Sequence, residues 1–331
     1  MHIDIHTHLV SAQFIRHLQG RSSVPNAVSK GDSYIVSCTS NHSHTNPPKA
    51  MDVEDKLRDM EVMGVDVSVL SQGIPGPELL GGTEADDWAA RINDHLASVI
   101  EKHPGKFVAW GSIGFGSPER SIAEVDRCIN QLGFKGFQLF SNIHQKVLDS
   151  PEYMPVYKHV ARLGTPMNMH PTSPLNIVGM EGSPLVAGMA FIYDTSLGAI
   201  RLIRSGLFDE EPDFKLIVPH VGGILPYLAG RVTRTIDSVS RAPGATRLTH
   251  PAKHYLDKLY VDSVAHSVEA LEYCYRLVGP ERILYGTDHP FANYLEAAAL
   301  VEQLHCTAAE RELIYTGNAE RLLGLRRINP A

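Results

Sequence analysis

The first ten residues, MHIDIHTHLV, place Asp4, His6 and His8 at alternate positions of a segment that otherwise has the composition of a buried strand. Side chains two residues apart in a strand share a face, so we expect these three on one face and Ile3 and Ile5 on the other. Polar groups crowded on an apolar segment are costly unless something compensates them. A divalent metal would do so, because imidazole is a common metal ligand. An exposed strand with its polar face in water is the alternative that this segment alone leaves open.

The elements that must position these residues alternate between short β-rich runs and segments of helical character. The predicted strands are His2–His6, Val65–Ser71, Phe107–Ile113, Gly136–Phe140, Pro166–Met169, Lys215–Pro219, Leu259–Ser263 and Ile283–Gly286. The predicted helices are Asp52–Met63, Ala85–His103, Pro118–Leu132, Pro151–Leu163, Ser196–Ser205 and Ser267–Val278. This order predicts a parallel α/β sheet, and eight strands favour a (β/α)8 TIM barrel spanning 1–331 as one domain. An open doubly wound sheet is the alternative, but its typical glycine-rich loop does not follow the first strand.

Metal-binding residue types stand at the ends of four predicted strands. His6 and His8 lie at the first strand, His170 at the fifth, His220 at the sixth and Asp288 at the eighth. In a (β/α)8 barrel the C-terminal strand ends meet at one mouth, where active sites are built. We therefore expect these five side chains to converge on a metal site.

Composition limits the classes of partner. The chain has 331 residues, a net charge of -7 and 43% hydrophobic residues, which is typical of a globular protein and argues against nucleic-acid binding. Four scattered cysteines without a C-x-x-C pair indicate a reducing compartment. Neither a signal peptide nor an apolar run long enough to span a bilayer is evident in the sequence, so we expect a cytoplasmic protein without a membrane partner.

The H-x-H of the first strand, together with His170, His220 and Asp288, resembles the pattern of the amidohydrolase superfamily. More narrowly, VPHVGGILPYLAGR, FIYDTSLGAIRLIRSG and ILYGTDHPF are similar to the branch that contains aminocarboxymuconate-semialdehyde decarboxylase and related nonoxidative aromatic acid decarboxylases. The resemblance extends from His2 to about Leu323. Binuclear relatives place a carbamylated lysine at the end of the fourth strand, whereas this chain has GFQLFSN there. The resemblance therefore implies a single metal ion.

By this resemblance, His6, His8, His170 and Asp288 would bind one divalent ion. Zinc suits three imidazoles and a carboxylate best, with manganese as the alternative. A bound water would complete the site, with its pKa lowered toward neutrality. His220 would lie beside the metal as general base and proton donor, although direct coordination is the alternative. Asp288 has a second expected role in proton transfer.

Two further residues are expected to bind substrate. Arg231 matches an arginine that, in the resembling decarboxylase, reaches the neighbouring subunit's active site and holds a carboxylate, which implies a homodimer or a higher homo-oligomer. A surface arginine is the alternative. Related enzymes supply a second arginine after the first strand, but none occurs here between Arg21 and Arg58, so a monocarboxylic substrate is easier to accommodate than a dicarboxylate. Phe291 is predicted to form a wall for an aromatic ring.

A polar insertion at 20–50 follows the first strand, and its stretch Gly31–Ala50 is predicted to form a lid or small hairpin over the mouth. Cys38, His42 and His44 would suit a second metal, but a solvated loop is the stronger alternative. One of these histidines would otherwise contact substrate.

The sequence therefore favours a metal-dependent nonoxidative decarboxylase, a carboxy-lyase acting on a small aromatic or dienoic carboxylic acid. A metal-dependent hydrolase of a C–C or ester-like bond in an aromatic breakdown product is the alternative, because the same metal and His220 would activate water. A catalytically silent binding protein is the third hypothesis, and His220 argues against it, since binding alone does not need a base.

Overall fold

The computed structural model describes residues 1–240, 242, 244–291 and 293–325. The strands of this part of the chain are β1 (Ile3–His8), β2 (Asn26–Lys30), β3 (Ser33–Ser37), β4 (Ser43–Asn46), β5 (Val67–Ser71), β6 (Phe107–Gly111), β7 (Gly136–Phe140), β8 (Met167–His170), β9 (Leu216–Val218), β10 (Tyr260–Asp262) and β11 (Ile283–Leu284). Eight of them form one parallel sheet in the order β1-β5-β6-β7-β8-β9-β10-β11, and β2, β3 and β4 form a separate antiparallel sheet.

Helices connect the strands of the parallel sheet. They are α1 (Ala12–Gln19), α2 (Val53–Met63), α3 (Gly82–Lys102), α4 (Pro118–Asn130), α5 (Met154–Arg162), α6 (Phe191–Arg204), α7 (Leu207–Glu210), α8 (Pro219–Gly222), α9 (Leu225–Val239), α10 (Ala252–Leu256), α11 (Val268–Val278), α12 (Tyr294–Gln303), α13 (Ala308–Glu312) and α14 (Asn318–Leu323). Local capping fixes several starts: the Asp52 carboxylate, for example, accepts the backbone N–H groups of Glu54 and Asp55 at the start of α2.

Backbone hydrogen bonds close the parallel sheet between its first and last strands. Ile5 N donates to Tyr285 O at 2.9 Å, and His8 N donates to His289 O at 2.8 Å. The sheet therefore forms a (β/α)8 barrel, which confirms the predicted fold. Each barrel strand lies within two residues of its predicted bounds. The largest helical difference is α6, which begins at Phe191 rather than Ser196 and continues from a π-helical turn at Val186–Ala190.

Strand β1 contains a bulge that the alternating pattern does not predict. Asp4 pairs with Ser68 and Thr7 pairs with Leu70, so β1 has one residue more than β5 between these pairs. Ile3 and Ile5 pack with side chains from β5, β6, β9 and β11, a combination that meets only inside the barrel. Asp4 faces outward instead, toward Thr287. The expectation that Asp4 shares a face with His6 and His8 is therefore wrong, because the bulge resets the alternation after Asp4.

Trp110 of β6 fills the lower part of the barrel. Its side chain is fully buried, and its Nε1 donates to Ile5 O at 2.8 Å. Gly136 of β7 leaves room for the indole: a Cβ there would lie 2.6 Å from Trp110 Cζ3 and 2.4 Å from Pro166 O. The glycine is thus required by close packing and by a backbone carbonyl that has little freedom to move.

The insertion after β1 is a three-stranded antiparallel sheet. Asn26 pairs with Ser37 in β2 and β3, and Ser37 pairs with Ser43 in β3 and β4. The predicted small hairpin is thus enlarged by a third strand. We call this sheet, residues 26–46, the insertion sheet.

The segment Val186–Arg204 is long and apolar enough, by length and composition, to cross a membrane, although Asp194 and Arg201 interrupt its apolar residues. Half of this segment is buried against the rest of the chain. It also carries the buried carboxylate of Asp194, which accepts hydrogen bonds from Ser141 Oγ at 2.5 Å and Asn142 Nδ2 at 2.9 Å. These contacts are typical of a core helix that packs on a barrel.

Gly136→Ala tests the packing around Trp110. We expect a loss of about 1–3 kcal/mol of unfolding free energy, because the added methyl group overpacks the barrel interior. Gly230→Ala in α9 is the matched control, since a Cβ there has nothing within 4 Å, and it should keep or raise stability. Thermal and denaturant unfolding would measure both variants. Equal stability of the two would show that the indole contact does not constrain this position.

Candidate metal centre and active-site cavity

Four of the predicted site residues converge at the mouth of the barrel. Their ligand atoms all lie within 4.8 Å of one another: the imidazole nitrogens of His6, His8 and His170 and a carboxylate oxygen of Asp288. Asp288 Oδ1 lies 3.3 Å from His6 Nε2, 3.1 Å from His8 Nε2 and 4.0 Å from His170 Nε2. The two strand-β1 histidines reach this point because the bulge turns both toward the mouth.

The other ring nitrogen of each histidine, Nδ1, is held by a hydrogen-bond acceptor. These acceptors are Asp262 Oδ2 for His6 at 2.6 Å, Ser71 Oγ for His8 at 2.9 Å and Pro171 O for His170 at 2.7 Å. The Ser71 hydroxyl donates to Thr7 O, so it accepts from His8. Each Nδ1 is therefore a protonated nitrogen, which leaves the Nε2 of each ring as the atom that would bind a metal.

The charges around this point also suit a cation. Burial lowers the pKa of His170 to about 4, so this imidazole is neutral. Burial also opposes a charge on His6, but the Asp288 carboxylate and the hydrogen bond to Asp262 outweigh it and raise the pKa of His6 to about 10. Burial alone would raise the pKa of Asp288, yet the surrounding imidazoles hold it well below its usual range. The cluster stabilises one positive charge where its donor atoms meet, and His6 Nε2 is buried there without a hydrogen-bond partner. The donor set fits a single divalent ion.

His220 lies beside the four-residue cluster. Its Nε2 is 3.7 Å from Asp288 Oδ2, whereas Asp288 Oδ1 is the oxygen nearest the other three histidines. The carboxylate thus presents one oxygen to the cluster and the other to His220. His220 therefore lies beside the cluster and faces a different carboxylate oxygen from the one that faces the three other histidines.

The backbone at both of these residues is strained. His220, Val221 and Asp288 have φ values of 54°, 51° and 60°, in the left-handed region that side chains with a Cβ rarely adopt. Each such residue costs about 1–3 kcal/mol, and such residues cluster at functional sites. Hydrogen bonds hold the strained segments: Val221 N donates to Asp262 Oδ1 at 3.1 Å, and Asp288 N donates to His6 O at 2.8 Å.

A cavity of about 960 Å³ opens above the cluster. It is lined by His220, Asp288 and Phe291 from the barrel, by residues of the insertion sheet and its turn, and by the segment that leads into α6. The Phe291 ring lies between His8, with ring centroids 5.6 Å apart, and His44, with ring centroids 5.1 Å apart. The structure thus places Phe291 at the cavity wall. Arg231, by contrast, is exposed on α9 and is not among the described residues that line the cavity.

Two groups of residues at the site were not predicted from the sequence. Asp262, which orients His6 and the backbone of Val221, stands at the end of the seventh predicted strand, so its position at a strand end was the available signal. A buried polar network behind the cluster had no such signal. In it Lys56 Nζ donates to Thr7 Oγ1 and to His289 Nδ1.

The suggestion of a second metal at Cys38, His42 and His44 finds no support among residues 1–325 as far as the structure describes them, where only one ligand cluster occurs. His42 Nδ1 is bound to Ser173 Oγ at 3.0 Å, and the Cys38 thiol donates to Val36 O at 3.8 Å. These side chains make contacts within the insertion sheet and with the barrel.

A family model described as amidohydrolase matches residues 3–325. This chain belongs to the amidohydrolase family. Among its relatives, the 2-amino-3-carboxymuconate-6-semialdehyde decarboxylase of Dictyostelium discoideum is 31% identical over 83% of this chain and 77% of its own length. The gamma-resorcylate decarboxylase of Polaromonas sp. strain JS666 is 30% identical over 84% of this chain and 90% of its own length.

A solved structure has a similar fold. The dihydroxybenzoic acid decarboxylase of Polaromonas sp. JS666, with bound manganese and the inhibitor 2-nitroresorcinol, superposes with a TM-score of 0.81 at 26% identity, covering 98% of this chain and 97% of that one. The similarity spans almost the whole of both chains, so the two proteins share the barrel fold. The predicted resemblance to the decarboxylase branch is confirmed.

Asp262→Asn tests how the histidines are oriented. We expect the purified protein to bind about one divalent ion per chain, and the substitution to weaken ion affinity by about 10–100-fold, because His6 loses its charged hydrogen-bond acceptor. Ion content after dialysis and competition with a chelator would measure this. Asp209→Asn, at a carboxylate that accepts from Tyr255 instead, is the matched control and should bind the ion normally.

Ligand removal gives the complementary result. His6→Ala, His170→Ala and Asp288→Ala should each lose the ion, since an incomplete shell binds weakly. Two ions per chain at full occupancy would contradict the single-ion interpretation, and full retention in all three variants would contradict the site.

Proposed function

We propose that this protein is a metal-dependent nonoxidative decarboxylase of a small aromatic or dienoic carboxylic acid. The observation that carries the proposal is the division of the Asp288 carboxylate between the cluster of His6, His8 and His170 on one side and His220 on the other. Such a reaction requires a cation site and an adjacent proton-transfer group at a cavity that is large enough for the substrate. The names of the relatives, which are decarboxylases of carboxylic acids, support the same reaction class.

A divalent ion held by His6, His8, His170 and Asp288 would bind the substrate carboxylate or an adjacent oxygen and draw electron density toward it. Three nitrogen donors and one oxygen donor suit zinc, and the manganese in the related Polaromonas structure makes manganese an equal candidate. We propose one ion per chain of one of these two metals.

His220 and Asp288 would carry out the proton transfer to the substrate. Decarboxylation needs a proton at the carbon that carries the carboxylate; the C–C bond then breaks, its electron pair stays with the ring or alkene, and CO2 leaves. His220 lines the cavity, so its imidazole would donate this proton, and Asp288 Oδ2 at 3.7 Å would hold the ring in place and exchange a proton with it. Phe291 would pack against the face of the substrate.

The hydrolase alternative uses the same residues but is not favoured, because the relatives reported above are named as decarboxylases. Loss of activity on mutation does not distinguish the two reactions. The origin of the atoms in the product does.

With an active substrate in heavy water, we expect one deuterium at the carbon that carried the carboxylate, with CO2 or bicarbonate released in step. His220→Ala should lower kcat by a factor on the order of 10²–10⁴ while the ion is retained, because a positioned acid–base group is lost. Mass spectrometry and CO2 detection would measure both. Oxygen from labelled water in a newly formed acid, without CO2, would instead assign a hydrolase.

We propose further that the active unit is at least a dimer and that Arg231 binds a substrate carboxylate in the neighbouring subunit. An exposed apolar patch supports this. Tyr227, one helical turn before Arg231 on α9, is 81% exposed, and Met189 and Tyr193 near the start of α6 are 59% and 53% exposed. The two helices are adjacent, since Ile224 N donates to Ser196 Oγ at 3.0 Å. Burying this patch against a second copy would bring Arg231 close to the partner, beside the segment that lines its cavity.

Subunit mixing tests this assignment. His220→Ala and Arg231→Ala proteins, each inactive alone, should regain about a quarter of the wild-type activity after exchange, because half of the dimers are hybrids and each hybrid has one intact site. Each variant exchanged with itself is the control. Without rescue after verified exchange, Arg231 acts in its own chain or has no part in the reaction.

The insertion sheet would act as a lid, and the whole chain would form a single barrel domain. We also propose that the protein is cytoplasmic. The free state of its four cysteines supports a reducing compartment.

A further inference from the structure

The upper wall of the cavity is uncharged. The insertion sheet and its turn contribute Ser37, Thr39, Ser40, Asn41, Ser43 and Thr45 to it. Among the described residues that line the cavity there is neither lysine nor arginine, and the one acidic side chain is Asp288. If the Arg231 proposed to reach in from a neighbouring subunit is taken up by the reacting carboxylate, a second carboxylate on a substrate would be desolvated here without a cationic partner.

His44 of β4 stands out within this wall. Its ring packs edge-to-face on Phe291, at an interplanar angle of 64°, and Phe291 in turn contacts His8 of the metal cluster. The Nε2 of His44 is shielded from solvent and has no hydrogen-bond partner. Buried polar atoms are normally paired, so an unpaired nitrogen at a cavity wall indicates a missing ligand group.

The neighbouring His42 differs in this respect, because its Nδ1 is already bound to Ser173 Oγ. Burial, together with the nearby His42 and His170, lowers the pKa of His44 to about 4. The ring is therefore neutral at physiological pH and offers one donor and one acceptor rather than a charge. Such a group recognises a hydroxyl or carbonyl oxygen better than a carboxylate.

We propose that His44 is a specificity-determining residue that hydrogen-bonds an uncharged oxygen substituent of a substrate whose single carboxylate lies at the metal centre, where the Arg231 proposed to come from the neighbouring subunit would contact the same carboxylate. This inference rests on the proposed function for the position of that carboxylate. It restricts the substrate class to monocarboxylic acids that carry a hydroxyl or carbonyl group remote from the carboxylate. The loss of that hydrogen bond is expected to lower affinity and kcat/KM together.

The test uses the ion-loaded full-length protein and a matched series of salicylates with hydrogen, hydroxyl or carboxylate at one ring position remote from the reacting carboxylate. Binding is measured by calorimetry and CO2 release separately, for each compound. We expect the wild-type protein to prefer the hydroxyl compound by about tenfold over both others. His44→Phe should abolish the preference over the hydrogen compound, and His44→Gln, which retains a donor and an acceptor, should restore part of it.

His103→Phe is the matched control, because His103 makes a similar edge-to-face contact, with Phe107, before strand β6 and away from the cavity. It should leave the preference unchanged. A wild-type preference for the dicarboxylate, or an unchanged hydroxyl preference in His44→Phe, would overturn the inference. The expected binding preferences without CO2 release from any compound would support His44 as the specificity residue and reject the decarboxylase.

Discussion

Strand β1 has to present isoleucines to the barrel interior at its start and imidazoles to the mouth at its end, and strict alternation cannot satisfy both. One additional residue between Asp4 and Thr7 resolves the conflict. It leaves Ile3 and Ile5 in the interior with Trp110 and still directs His6 toward the point that His8 reaches. Bulges increase local twist and redirect side chains, and they are common near active sites. The metal centre depends on this irregularity, because without it His6 would face the surrounding helices.

The outward-facing side chains at the same bulge are polar, and each has a hydrogen-bond partner. Asp4 accepts from Thr287 Oγ1 at 2.6 Å, and Thr7 Oγ1 accepts from the buried Nζ of Lys56. Lys56 Nζ also donates to His289 Nδ1, and His289 Nε2 is hydrogen-bonded to Asp59 Oδ2 at 2.8 Å. These bonds tie β1 to the segment that carries Asp288. A buried lysine is costly unless it is paired, so this network fixes the two segments relative to each other rather than adding much net stability.

Asp262 connects the two halves of the site. One of its oxygens orients His6 and the other accepts the backbone of Val221, next to His220. The strained backbone at His220 and Asp288 is thus supported by bonds to other residues of the site. Since the Nδ1 protons of all three cluster histidines are also engaged, the donor atoms are oriented before any ion binds. Ion binding then requires little reorganisation of these side chains, so the cost of ordering them does not reduce the ion affinity.

The sequence by itself determined the barrel and the residues of its mouth. Strand–helix alternation is a local signal, and the strand ends at His8, His170 and Asp288 converge in any closed parallel barrel, so their neighbourhood follows once the fold is known. Only the tertiary structure decided which way Asp4 faces, because a bulge depends on pairing with another strand. It also decided the contacts of Lys56 and His44, whose partners are 49 and 247 residues away in the chain at Thr7 and Phe291. Such contacts depend on packing between elements that are distant in sequence, and no local periodicity records them.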